Sequence, residues 1–274
     1  AELDGKRREA RIYKAAPYPM DTLIKQFKDQ LKWSESVTWD REQGRVTSAR
    51  HLKLGAITVQ NNRLKKPDLE KVLNVFLEGI KDAGVQCLPW NKELRRWQGR
   101  VCFLKRLLKD EEPWPHVSDE GLESRLKQWL APYLVNMDRL KDLVRVDLKR
   151  ALFSILSYRQ QKALDVLAPT HMVVPSGSRI PIDYAAPSPV LAVRLQEVFG
   201  LLKTPTVAGG RQPLLIHLLS PAGRPVQITR DLQGFWKTGY IQVKKELKGR
   251  YPKHYWPDDP QKAQATARVR PKKC

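Results

Sequence analysis

A chain of 274 residues with 41% hydrophobic and 29% charged side chains has the composition of an ordinary globular protein and enough apolar material for two compact units, possibly three. Its 50 lysines and arginines stand against 29 acidic residues, a net charge of +21. That field gathers polyanions and singles out nucleic acid, whose closely spaced phosphates release counterions when Lys and Arg replace them, over an anionic membrane surface.

Residues 1–66 read as β-rich with one helix. The chain opens without an initiator Met or an apolar targeting core, as if inside a strand-turn element, and so reads as a piece of a longer protein. A strand is expected over residues 9–15, carrying Ala10 and Ile12. Leu23, Ile24, Phe27 and Leu31 have helical spacing and predict a helix over 21–31. Residues 36–40 and 45–50 read as paired strands around the Arg41–Gly44 turn, and 54–59 as a further short strand. Several short strands joined by turns suggest a small barrel, or part of one.

Residues 67–168 read as helical. Pro67 and Asp68 open a helix with Leu69, Val72, Leu73, Phe76 and Ile80 on one face, stopped at Gly84. Asn91 and Ser118 are candidate caps for two more, and a pair of short helices follows Asp138. Ser157 and Gln160 have capping-box spacing before Leu164 and Leu167. Residues 169–257 change character. A hairpin is expected around Pro175–Ser178, and a helix over 190–199 carrying Leu191, Val193, Leu195, Val198 and Phe199 and ended by Gly200. Next come a buried strand over 214–219, a turn at 220–223, a strand over 225–229, and a helix capped by Asp231. The order β-β-α-β-β-α describes a compact α+β domain, and the fold class expected for the whole chain is α+β. Residues 258–274 lack periodicity and read as a basic, disordered tail.

Catalytic machinery is not apparent. No G-x-x-x-x-G-K-[ST] loop or Asp-Glu-Ala-His box occurs, and Gly209-Gly210-Arg211 lacks the lysine and hydroxyl that hold phosphates and magnesium, so ATP hydrolysis is not expected of this chain. His51, His116, His171, His217 and His254 are scattered, no Cys-x-x-Cys pair suggests zinc, and no nucleophile elbow occurs. Asp258-Asp259 reads as a solvated turn. Cys87, Cys102 and Cys274 are odd in number and widely spaced, which argues against a disulfide framework and fits a reducing, cytoplasmic compartment. No apolar run reaches the roughly 18 residues that span a bilayer.

The cations cluster. Arg41, Arg45, Arg50, Lys53, Arg63, Lys65 and Lys66 oppose Glu42 alone over residues 41–66. With Trp33 and Trp39 as available rings, they suggest a single-strand platform that tracks phosphates and stacks bases, against the commoner reading of single tryptophans as core. A second cluster includes Lys244, Lys245, Lys248, Arg250 and Lys253. It runs into Gly249-Arg250-Tyr251-Pro252-Lys253-His254-Tyr255-Trp256-Pro257, which is either a contact surface or a strap. Ser176, Ser178 and Arg179 offer hydroxyls, backbone N–H groups and a guanidinium to a phosphate, or form a plain hairpin turn.

Several strings are distinctive: residues 168–179 (Ala-Pro-Thr-His-Met-Val-Val-Pro-Ser-Gly-Ser-Arg), 189–200, 218–232 leading to Phe235-Trp236, and 249–257. They resemble the carboxy-terminal domain of the HrpB family of bacterial DEAH-type RNA helicases. Glu2-Leu3-Asp4-Gly5, Arg8–Ile12, Trp39-Asp40 and Leu54-Gly55-Ala56 are similar to the region where that family carries an OB-like barrel, partial or complete here. Residues 129–134 resemble the helical part that follows. The resemblance implies RecA-like motor domains elsewhere in the protein, with ATP and magnesium bound there and not in this chain. It also implies single-stranded RNA and the motor as partners. An accessory nucleic-acid-binding region is the first reading, and a protein-interaction or regulatory module with an acidic partner is the second.

Overall fold

The computed structural model describes residues 16–109, 111 and 113–271. They form two compact units. The first holds residues 16–83 together with 134–143, and the second holds 84–133 and 144–271. The chain is mixed α+β, and no helix among the described residues is long and apolar enough to cross a membrane.

In the first unit, helix α1 (Met20–Gln26) precedes strands β1 (Leu31–Asp40), β2 (Arg45–Leu54) and β3 (Ile57–Arg63) and helix α2 (Leu69–Ala83). α1 is shorter than its apolar spacing suggests because Leu31 already belongs to β1, opposite Leu54. The strands make an antiparallel sheet in the order β1-β2-β3. Among the described residues the sheet is open, with β1 and β3 as its edges, rather than closed into the expected barrel. The strand expected over 9–15 lies outside the described residues. Leu54 ends β2 instead of opening a new strand. Gly55 at φ +59° makes the two-residue turn into β3, with Leu54 paired to Ile57, the conformation a tight hairpin requires at its first turn position.

Side chains alternate across the pleat, so the register sorts two faces. Val46 and Leu52 are buried on one, where Trp39 packs over Phe76 of α2 with ring centroids 6.2 Å apart. Trp39 is therefore half-buried against α2, which favours packing over base stacking. A Cβ at Gly79 would meet that indole at 2.5 Å. Gly79→Ala is expected to lower stability by about 1–3 kcal/mol through overpacking, despite alanine's better helix propensity. A urea midpoint that rises instead would refute this packing.

In the second unit, α3 (Lys92–Leu107) is capped by the Asn91 side chain, which accepts from Leu94 N. Ser118 caps α4 (Asp119–Glu123), and α5 (Leu126–Trp129) follows, so the single helix expected here is two short pieces. α6 (Leu148–Phe153) leads to α7 (Tyr158–Leu167), whose capping box is complete: Ser157 Oγ accepts from Gln160 N and Gln160 Oε1 from Ser157 N. Buried Arg100 of α3 reaches α7, donating to the carbonyls of Leu164 and Ala168 and to Asp165.

Strands β4 (His171–Val173), β5 (Arg179–Asp183) and β6 (Val190–Arg194) come next. The small pair β7 (Thr206–Val207) and β8 (Gln212–Pro213) follows, then β9 (Leu215–Leu219) and β10 (Pro225–Thr229). Five strands form one sheet in the order β10-β9-β6-β5-β4, with β6 parallel to β9. The helix expected over 190–199 is thus a strand and a 3-10 turn. Leu191 and Val193 are buried while Ala192 and Arg194 are exposed, which is period two. A last helix runs through α8 (Leu232–Gly234), a π turn at Phe235–Gly239, and α9 (Tyr240–Arg250), capped by Asp231 as expected.

The tail was expected to be disordered, but residues 258–271 lie along this unit. Gly200 N donates to Pro260 O, Thr266 N to Gln196 O, and Tyr255 N to Val269 O. Backbone groups make these bonds, so the segment needs no apolar periodicity to dock. Lys272, Lys273 and Cys274 lie outside the described residues.

Candidate nucleic-acid interface

The register divides the predicted cations of the first unit. Opposite the α2 side, one face carries Lys32, Ser34, Ser36, Thr38 and Asp40 from β1. Arg45, Thr47, Ala49, His51 and Lys53 join them from β2, and Thr58, Asn61 and Arg63 from β3. Ala49 is the only apolar residue among them. A ladder of hydroxyls crosses it: Ser36 Oγ and His51 Nε2 are 2.8 Å apart, and the Thr38 and Thr47 hydroxyls 3.0 Å. Lys32, Arg45, Lys53 and Arg63 face Asp40 alone, and Asp40 sits at the hairpin end, accepting from Gln43 N. Such a face can hold phosphates through cations and hydroxyls without reading bases.

Arg50 does not join it. It projects from the other face, opposite Glu35, with its guanidinium 4.4 Å from the centroid of the Trp33 ring. Trp33 is 43% exposed, so this cation-capped ring is the more open tryptophan of the sheet. Lys65 and Lys66 are exposed just beyond β3.

Sequence reasoning missed Arg139 and Lys141. The segment 134–143 returns to the β1–β2 hairpin: Leu140 N donates to Gly44 O, Val46 N to Asp138 O, and Arg45 pairs with Arg139 in an antiparallel bridge. A cleft of about 420 Å³ results, lined by Arg41, Gln43, Arg45, Arg139, Lys141 and Glu42.

In the second unit the expected phosphate loop is a hydrogen-bonded turn. Ser176 Oγ donates to Glu197 Oε2 at 2.9 Å and also contacts Ser178 Oγ. Glu197 is buried, so a fixed carboxylate, which repels phosphate, already holds the hydroxyl. Ser176 and Ser178 make a braced turn, and Arg179 is left exposed on β5. Of the second basic cluster, Lys244 is paired with Asp258, and its hydrogen bond and charge hold that carboxyl below the usual carboxylate range. Lys245, Lys248 and Lys253 are exposed, and Arg250 lies 3.9 Å from Glu246.

The aromatic loop 249–257 is a strap. Trp256 Nε1 donates to Tyr251 O, Tyr255 meets Phe199 edge-on, and Tyr240 Oη donates to Pro257 O. The His254 ring bonds Gln196, and burial followed by the Arg194 charge holds it below the usual histidine range. Burial also pushes the thiols of Cys87 and Cys102 up, which makes them poor nucleophiles. No cluster able to hold a metal occurs among the described residues.

Known proteins are similar to this chain in sequence and fold. Residues 30–64, which contain β1–β3, match the family model of the connector region of the ATP-dependent RNA helicase HrpB. Residues 129–260 match the model described as ATP-dependent helicase C-terminal. The chain is 42% identical over 263 residues to the ATP-dependent RNA helicase HrpB of Escherichia coli (strain K12), covering 96% of this chain and 32% of that protein. A crystal structure of the E. coli DExH-box NTPase HrpB aligns at TM-score 0.71 with 42% identity, over 92% of this chain and 31% of that one. A crystal structure of the Escherichia coli DEAH/RHA helicase HrpB aligns at 0.61, also with 42% identity, over 83% and 29%. The chain spans about a third of the length of these relatives. Connector and C-terminal models matched in that order, with 42% identity carried through 96% of the residues, place this chain in the HrpB helicase family as its C-terminal region.

Proposed function

We propose that this chain is the accessory nucleic-acid-binding region of a cytoplasmic, ATP-dependent RNA helicase. It guides single-stranded RNA by phosphate contacts and leaves ATP and magnesium to motor domains elsewhere in the protein. The observation that carries the proposal is the polar face of the first sheet, where Lys32, Arg45, Lys53 and Arg63 share a surface with a hydroxyl ladder. On an open sheet such a surface tracks the backbone with little base preference.

The test is affinity of the chain for single-stranded RNA at two salt concentrations. Four phosphate contacts at about 0.7 counterion each imply a loss of roughly fiftyfold between 50 and 200 mM salt. Affinity that is unmeasurable at 50 mM salt would refute the proposal.

A second reading, docking of an acidic protein partner, draws on α9. There Ile241 is 69% exposed in line with Lys245 and Lys248. Reversing both lysines to glutamate should then abolish capture of a protein partner and leave RNA affinity unchanged.

A further inference from the structure

The cleft between the β1–β2 hairpin and the returning segment 134–143 has features that neither element alone explains. Arg45 and Arg139 stand directly opposite each other in a backbone bridge, an unfavourable placement for two like charges. The Nε of Arg45 is buried and has no hydrogen-bond partner, and a buried donor without an acceptor is costly. Arg41 and Lys141 add two further cations at the rim, with Glu42 as the single carboxylate of the lining. Arg41 is already bonded to Asp82 at 2.7 Å, and Arg139 lies 3.4 Å from Asp138. Arg45 and Lys141 have no carboxylate partner among the described residues.

The frame is fixed by main-chain bonds, Leu140 N to Gly44 O and Val46 N to Asp138 O, so the backbones that carry Arg45 and Arg139 stay paired whether or not the cleft is filled. An anion with several acceptor oxygens would relieve the charge repulsion. Phosphate does so, and guanidinium forks match its geometry.

We infer that this cleft is a fixed site for one phosphodiester group of single-stranded RNA, gripped by Arg45, Arg139 and Lys141. It stands at the hairpin end of the polar face, where it anchors the strand that Lys53 and Arg63 accompany. The inference rests on the RNA-binding reading above and adds the place where the backbone is held and two residues, Arg139 and Lys141, that hold it.

The experiment is a titration of the 274-residue chain with fluorescently labelled oligo-U and oligo-A of equal length. The unaltered chain is compared with the double variant Arg139→Gln/Lys141→Gln and with Glu42→Gln. The double variant is expected to bind both oligonucleotides about tenfold more weakly. Its salt slope should be shallower by about 1.4, two cations at about 0.7 each. Glu42→Gln removes the opposing carboxylate and is expected to tighten binding several-fold, a gain that misfolding cannot produce. If the unaltered chain binds RNA while both variants keep its affinity and slope, the cleft is not the site and the general reading stands. If the double variant fails to fold, Glu42→Gln decides, and unchanged affinity overturns the inference. Absence of RNA binding by the unaltered chain overturns both.

Discussion

Phe199→Ala is expected to lower the stability of the second unit by about 3–5 kcal/mol, the usual cost of emptying an aromatic site in a core. Phe199 is fully buried. Its ring is met by Trp236, Tyr240 and Tyr255 at centroid distances of 6.1, 6.0 and 6.1 Å, two of them edge-on. These rings come from the last helix and the strap, so the side chain joins three pieces of chain. The walls cannot collapse into the void, because Trp236 Nε1 is tied to Leu201 O and Tyr240 Oη to Pro257 O. Since whole domains are stable by only about 5–15 kcal/mol, the urea midpoint should fall steeply at unchanged m-value. A loss below about 1 kcal/mol would show that Phe199 is not the centre of this cluster.

Arg100→Met should cost about 1–3 kcal/mol, by leaving the Ala168 carbonyl without a donor while Leu164 O keeps the Ala168 N–H. The Arg100 side chain is 7% exposed; it donates to Ala168 O at 2.5 Å, Leu164 O at 3.1 Å and Asp165 Oδ1 at 2.6 Å. Methionine preserves the volume, so packing is not the cause. The ion pair itself adds little because Asp165 is 78% exposed. Hydrogen exchange should quicken in α7 before it does in the sheet. Uniform exchange at an unchanged midpoint would contradict the role assigned to this guanidinium.

Local chemistry was legible in the sequence. Asn91, Ser118, Ser157 with Gln160, and Asp231 all cap the helices they were expected to cap, because a side-chain oxygen and an N–H three residues on need nothing distant. The segment 190–199 was misread because Leu191, Val193, Leu195, Val198 and Phe199 satisfy a strand at the start and a helix at the end. What settles it is the parallel neighbour β9, over twenty residues later in the chain.

The cations show the same boundary. Arg45, Lys53 and Arg63 share a face and Arg50 does not, and within β2 that parity is countable once the register is known. Arg139 and Lys141 could not be found at all, because only the return of 134–143 to the hairpin brings them there. Ser176 and Ser178 resemble a phosphate nest because the sequence does not reveal that Glu197, in the 3-10 turn after β6, holds the Ser176 hydroxyl.

That returning segment also has a bearing on synthesis. Residues 84–133 leave the ribosome before 134–143 do, and at about 5–20 residues per second that delay lasts seconds. During it the hairpin lacks the donor and acceptor that Leu140 and Asp138 later supply. A nascent chain halted at residue 83 should therefore hold its hairpin tip more loosely than one released past 143, and truncation at that point would yield an unfinished module rather than a smaller one.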